Sequence, residues 1–227
     1  MNIDDQVLEE FHKIISPNKI ELFETIANMR TNHMTVVLEN IYQEHNASAV
    51  LRTCDCFGVQ TLHAIEKNNK YMVQRDIARG AGRWVDLKNY TSKTPTLDCL
   101  NGLRENGYTI VATTPHENET SLAALPLDKP LALVFGTEGE GISEEVKNNA
   151  DYFVKIPMYG FTESYNVSVS VALTLQFLRN RLQDEKIPFL MSETEKTKLK
   201  IKWSTKIIRE GSALEEEIRK RILELRK

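Results

Sequence analysis

From Thr35 onward, six short runs rich in β-branched and aromatic residues recur along the chain with longer stretches of helical character between them: TVVLEN, VQTLHAIE, WVDLKNY, YTIVATT, LALVFG and YFVKIP. Parallel strands need long crossovers, which are usually helices, so strands alternating with helices predict an α/β fold on a mostly parallel sheet. The segment NVSVSVALTLQFLRNRL alternates like a strand in its first half. Its full length, its arginine-rich end and Asn166 as a cap at its start predict a helix instead.

Outside that pattern the chain changes character. The first thirty residues place Val7, Leu8, Phe11, Ile14 and Ile15, then Ile20, Leu22, Phe23 and Ile26, at helical spacing around a break at Ser16-Pro17-Asn18. After Pro188 comes a charged helical tail with Trp203, Ile207, Ile208, Leu214, Ile218 and Leu225 as its apolar face. We therefore expect a helical extension over residues 1–30, one α/β domain over 31–182 and a charged helical extension over 183–227. With 227 residues, 41% of them hydrophobic, one sizeable core is the default. No apolar run approaches the roughly 20 residues of a bilayer span, and the acidic start lacks the form of a secretory signal, so a cytoplasmic protein with no membrane partner is expected. Three cysteines, Cys54, Cys56 and Cys99, give neither a paired framework nor a zinc spacing, and read as buried thiols. A net charge of −3 leaves room only for a local nucleic-acid face.

Ligands of open α/β sheets bind beyond the carboxyl ends of strands, which singles out three loops. The first, ENIYQEHNASAVLRTCDCFG, puts Asn46 at the start of a short helix that carries Arg52 and Asp55. Arg52 lies among Ala47, Val50 and Leu51, where a long cation needs a partner; pairing with Asp55 is the simple explanation. The second, LALVFGTEGEGIS, runs from a buried strand into a loop with Gly136, Gly139 and Gly141. Glycines allow close backbone approach, while Glu138 and Glu140 would repel a phosphate, so the loop is either a seat for a nucleoside or cationic cofactor or simply a tight turn. The third, YFVKIPMYGFTESYNVS, delivers Ser164, Tyr165 and Asn166 to a helix start, where they can cap the helix or grip a polar substrate.

In this order the three loops resemble the signature motifs of the SpoU/TrmH branch of the SPOUT RNA methyltransferases. Asn46, Ala49, Arg52, Thr53, Asp55 and Gly58 match N-x-x-A-x-x-R-T-x-D-x-x-G, the second loop matches FGxExxG, and the third resembles IPMxGxxxSxNVSVA. The resemblance implies a deep trefoil-knotted, mostly parallel sheet flanked by helices, a homodimer, and S-adenosyl-L-methionine as methyl donor with no metal. It implies a cofactor site at Thr113, Gly136, Ile156 and Tyr165, and a catalytic group of Arg52 with Asn46, Glu138, Ser164 and Asn166. An arginine suits stabilisation of a developing alkoxide better than proton abstraction. The chain departs from related tRNA enzymes at Tyr165, where leucine is common, and in the TTP segment after Thr113, where a histidine often follows the threonine.

A short leader and a charged tail around one catalytic domain resemble the members that methylate the ribose 2′-hydroxyl of guanosine 18 in the tRNA D-loop. Ribosomal RNA, another tRNA position, or noncatalytic RNA binding are the alternatives. A nucleotide-binding enzyme using the Gly136 to Gly141 loop for phosphates is disfavoured, because no G-x-G-x-x-G or P-loop lysine pattern opens a helix. Basic stretches from Lys67 to Lys93 and from Lys196 to Arg209 nominate Arg75, Arg79, Arg83, Lys200 and Lys202 for phosphate contacts, and Trp84, Tyr90 or Trp203 for base stacking or the core.

Overall fold

The structure, a computed structural model, describes residues 2–114 and 120–226. Its elements run α1 (Ile3–His12), α2 (Pro17–Ala27), β1 (Met34–Glu39), α3 (Glu44–Cys56), β2 (Thr61–Ile65), α4 (Arg75–Ala78), β3 (Asp86–Tyr90), α5 (Pro95–Glu105), β4 (Thr109–Thr113), β5 (Leu131–Phe135), α6 (Glu144–Lys147), β6 (Tyr152–Val154), α7 (Val167–Asp184), α8 (Glu193–Ile207) and α9 (Gly211–Glu224). Each of the six expected runs contributes one strand. YFVKIP contributes only Tyr152–Val154, because ladder pairing with β4 ends at Thr113 opposite Val154. The ambiguous segment is helix α7, and the Asn166 side chain caps it by accepting from the Ser168 amide.

The sheet order is β3-β2-β1-β5-β4-β6, and every pairing between these strands is parallel. Residues of β1 and β5 are buried along their whole length, as expected of central strands covered on both faces. Alternation then sorts their side chains. Met34, Val36, Leu38, Leu131, Leu133 and Phe135 pack in one layer with Val50 and Leu51 of α3 and Leu175 and Leu178 of α7. Val37, Ala132 and Val134 face the opposite layer with Leu100 and Leu103 of α5 and Val146 of α6. The direction of strand addition reverses between β1 and β5, so the crevice at their carboxyl ends is the place where this architecture accepts ligands.

Helix α3 is stopped by Gly58 of the first motif. Its φ of 71° lies in the left-handed region, its amide donates to the Asp55 carbonyl, and the Val59 amide donates to the Cys54 carbonyl. Cys54 and Cys99 are buried as expected, whereas Cys56, in the last turn of α3, is exposed.

The chain divides into two compact units, Thr31–Phe189 with the sheet, and Met1–Arg30 together with Leu190–Lys227. In the helical unit, Val7, Leu8, Phe11 and Ile15 pack with Ile201, Ile218 and Ile222. The charged tail is two helices rather than one: a capping box at Ser192 and Glu195 starts α8, and Ile208 leaves helical geometry at its end. Of the two roles open to Trp203 it takes the core one, tilted against Phe23 at 5.4 Å between ring centroids and buried away from any base. Two sequence expectations are corrected here. Lys200 is buried with its Nζ 2.5 Å from Glu24 Oε1, so it is no surface phosphate contact. Leu225 is 82% exposed instead of joining the apolar face, because it lies beyond the last turn of α9. Among the described residues no helix is long and apolar enough to cross a membrane.

Candidate active site

Asn46 does not cap α3. Gln43 occupies that place, and Asn46 sits in the first helical turn with its side chain turned inward, only 3% exposed. A buried carboxamide must find partners for two donors and one acceptor. The Asn46 amide group donates to Gln43 Oε1 at 2.9 Å and to Glu138 Oε1 at 3.0 Å, while its oxygen accepts from Asn166 Nδ2 at 2.9 Å. Asn166 Nδ2 also donates to Glu138 Oε1 at 2.8 Å, and the Val167 amide donates to the same oxygen at 3.3 Å. One residue from each of the three motifs thus meets at the β1/β5 switch point, although 92 and 120 positions separate Asn46 from its two distant partners.

The loop after β5 is held shut by its own backbone. Thr137 and Gly141 exchange two hydrogen bonds, of 3.0 and 2.9 Å, and the Glu140 amide donates to Thr137 Oγ1. Gly136 lies so close beneath this bridge that a Cβ there would stand 2.0 Å from the Gly141 carbonyl oxygen. Only glycine admits that approach.

Beside the cluster lies a cavity of about 270 Å³, at the small end of the usual range for ligand pockets. Thr113, Gly136, Ile156 and Tyr165 all line it, as do Glu138 and Ser164. The Thr113 hydroxyl donates to the Val134 carbonyl at 3.0 Å, so its proton is already committed. Tyr165 donates its hydroxyl to the Pro157 carbonyl at 3.2 Å and ties the third loop to itself, a bond that leucine would not make. Of the TTP segment, Pro115 lies outside the described residues. Three further carboxylates and lysines missed by sequence reasoning, Glu163, Lys147 and Lys155, complete a lining in which Glu138 and Glu140 tip the balance toward negative charge. That lining fits a small cationic ligand better than a phosphate.

The remaining expected residues separate by what they have left to give. The amides of Asn46 and Asn166 are fully engaged within the protein, since Asn166 Oδ1 also accepts from the amide and hydroxyl of Ser168. Arg52 is exposed, and among the described residues no hydrogen bond or ion pair engages its guanidinium, so the simple pairing with Asp55 does not form. Ser164 is likewise exposed without such a bond. Of the expected phosphate contacts, Arg79, Arg83 and Lys202 are exposed, and Arg83 lies over the Trp84 ring at 5.6 Å. The side chain of Arg75 lies outside the described residues. Tyr90 is half-buried and stacks on His63. Gln43 escaped sequence reasoning, although its place three residues before Asn46 is the helical spacing that brings two carboxamides together.

A parallel sheet with its three polar loops gathered at one switch point, beside a glycine-built cavity, is the construction of a ligand-transforming α/β enzyme. The sequence profile of the SpoU rRNA Methylase family matches residues 33–176, and the chain belongs to that family. It is 39% identical to a tRNA (guanosine(18)-2'-O)-methyltransferase of Borreliella burgdorferi over 94% of this chain and 98% of that protein. It is 37% identical to the Thermus thermophilus protein of the same name over 70% of this chain and 81% of that one. Among solved structures, an Aquifex aeolicus TrmH/SpoU tRNA modifying enzyme superposes with a TM-score of 0.75 at 28% identity, covering 85% of this chain and 98% of that one.

Proposed function

We propose that this chain transfers the methyl group of S-adenosylmethionine to the 2′-hydroxyl of guanosine 18 in the tRNA D-loop, acting as a cytoplasmic homodimer with the trefoil knot of its family. The observation that carries the reading is the meeting of Asn46, Glu138 and Asn166 beside a cavity whose lining favours a cation, with Arg52 left unengaged. When bound, S-adenosylmethionine supplies an electrophilic methyl group on a sulfonium. Backbone at Thr113, Gly136, Ile156 and Tyr165 would hold it. With their carboxamides engaged by protein bonds, Asn46 and Asn166 act with Glu138, whose Oε1 accepts from both, by fixing the helix starts around the ribose. Arg52 and Ser164 are exposed polar side chains with hydrogen-bonding capacity to spare, and Arg52 is assigned to stabilise the oxyanion that forms at the ribose oxygen. Arg75, Arg79, Arg83 and Lys202 are assigned to tRNA phosphates, which set position and affinity.

The homodimer draws support from α7. Its inner face is buried at Val171, Leu175 and Leu178, yet Val169, Leu173 and Phe177 form a second apolar stripe at four-residue spacing, each 40–43% exposed. An apolar helix on both faces is normally covered on both. Leu173→Arg is expected to shift the protein from dimer to monomer in analytical ultracentrifugation and to abolish most activity; an unchanged dimer would place the interface elsewhere.

The function itself is tested by incubating the purified protein with labelled S-adenosylmethionine and unmodified tRNA, followed by nuclease digestion and mass spectrometry. A 2′-O-methylguanosine at position 18 is the expected product. Label at another tRNA position, or label that appears only when ribosomal RNA replaces tRNA in the assay, would overturn the substrate, and a protein that methylates neither RNA would overturn the activity.

A further inference from the structure

Glu39, the last residue of β1, is only 3% exposed, and a carboxylate so buried has to be surrounded by donors. Four reach it from three separate segments. Oε2 accepts from the Ser143 amide at 2.8 Å, and Oε1 accepts from the Ser143 hydroxyl at 2.6 Å, from the Thr96 hydroxyl at 3.2 Å and from Lys67 Nζ at 3.2 Å. Lys67 also contacts Glu145 Oε2 at 3.0 Å and donates to Ser143 Oγ at 3.3 Å, and so joins β2's exit to α6. Burial acts to lower the Lys67 pKa, and the carboxylates of Glu145 and Glu39 outweigh it and raise the value, so Lys67 keeps its charge at neutral pH.

The placement of Ser143 gives this arrangement its consequence. Ser143 follows directly on Gly141 and Ile142, which line the cavity, and its hydroxyl also caps α6 by accepting from the Val146 amide. One end of the glycine loop is fixed by β5 and its middle by the Thr137–Gly141 bridge. Its exit is fixed to the sheet through Glu39. We propose that Glu39 is a positioning residue for the cofactor: it touches no substrate, and by holding Ser143 it sets the 136–141 loop at the spacing that admits S-adenosylmethionine. The inference rests on the cofactor reading above.

All four partners are donors toward the carboxylate, so no orientation of an amide can replace it. Glutamine must aim its NH₂ group either at the Ser143 N–H or at the Lys67 ammonium. Glu39→Gln is therefore expected to weaken S-adenosylmethionine binding about tenfold by calorimetry and to raise its KM in step, the scale of one lost charge-assisted bond. The kcat at saturating cofactor and tRNA should stay within about twofold. Thr96→Val removes a Glu39 partner that is not part of the loop, and should leave cofactor affinity within about twofold whatever it does to Tm. Should Glu39→Gln fail to fold, Ser143→Ala, which keeps the backbone bond and deletes the hydroxyl bond, is expected to weaken cofactor binding about threefold. Wild-type affinity in Glu39→Gln or in Ser143→Ala, or an equal loss in Thr96→Val, would overturn the proposal. A wild-type protein that binds S-adenosylmethionine but leaves tRNA unmodified would overturn the substrate alone; one that binds no S-adenosylmethionine would overturn both readings.

Discussion

Arg52→Ala is expected to lower kcat by roughly 10²–10³-fold, the usual effect of deleting one group that stabilises a developing oxyanion. The fold should not respond, because the side chain is exposed and no hydrogen bond or ion pair engages it among the described residues. Cofactor affinity, dimer formation and Tm are therefore expected to match the wild type, and the loss should appear in kcat rather than in the KM for S-adenosylmethionine. Arg52→Lys keeps the charge but not the planar fork of donors, and should recover only part of the rate. Single-turnover methyl transfer decides the matter: near-normal turnover in Arg52→Ala would remove Arg52 from the chemistry.

Gly136→Ala should abolish cofactor binding by a different route. Its Cβ would meet Gly141 O at 2.0 Å, Gly141 C at 2.1 Å and Ile142 N at 2.3 Å, all of them backbone atoms that no rotamer change can move. The loop must open by an ångström or more, breaking the Thr137–Gly141 bridge that shapes the cavity floor. We expect calorimetric affinity for S-adenosylmethionine to fall by at least about 100-fold, with a loss of stability of about 1–3 kcal/mol from overpacking. Gly139→Ala is the control, since nothing lies within 4 Å of the added carbon and the stability of the chain should hold. Normal cofactor binding by Gly136→Ala would show that this loop does not form the cofactor seat.

Local pattern made much of the sheet unit legible. The six strands follow from β-rich runs whose neighbours are helical, and α7 could be told from a strand by its length and by Asn166 at its start. The three polar loops could be located because ligand residues follow strand ends, and their glycines and carboxamides stand out against the apolar runs. Composition misled where charge was taken for exposure. Lys200 carries a long apolar stem that can be buried once Glu24 meets its ammonium, and nothing in the tail itself announces a partner 176 residues away. Leu225 failed in the opposite sense, since a periodic leucine one residue past a helix end has no face left to join.

What the sequence by itself determined is therefore the set of elements and the chemical groups each strand end carries, because both depend on neighbours a few residues apart. The tertiary structure alone decided the order β3-β2-β1-β5-β4-β6, and with it which strand ends become adjacent. That order brings Asn46 to Glu138 and Asn166, engages the two carboxamides within the protein, and leaves Arg52 with its own capacity intact. It also gives Glu39 its partner Ser143, 104 residues along the chain. Contacts of such separation are set by how the layers pack around a common core, a property of the whole chain that no local window contains.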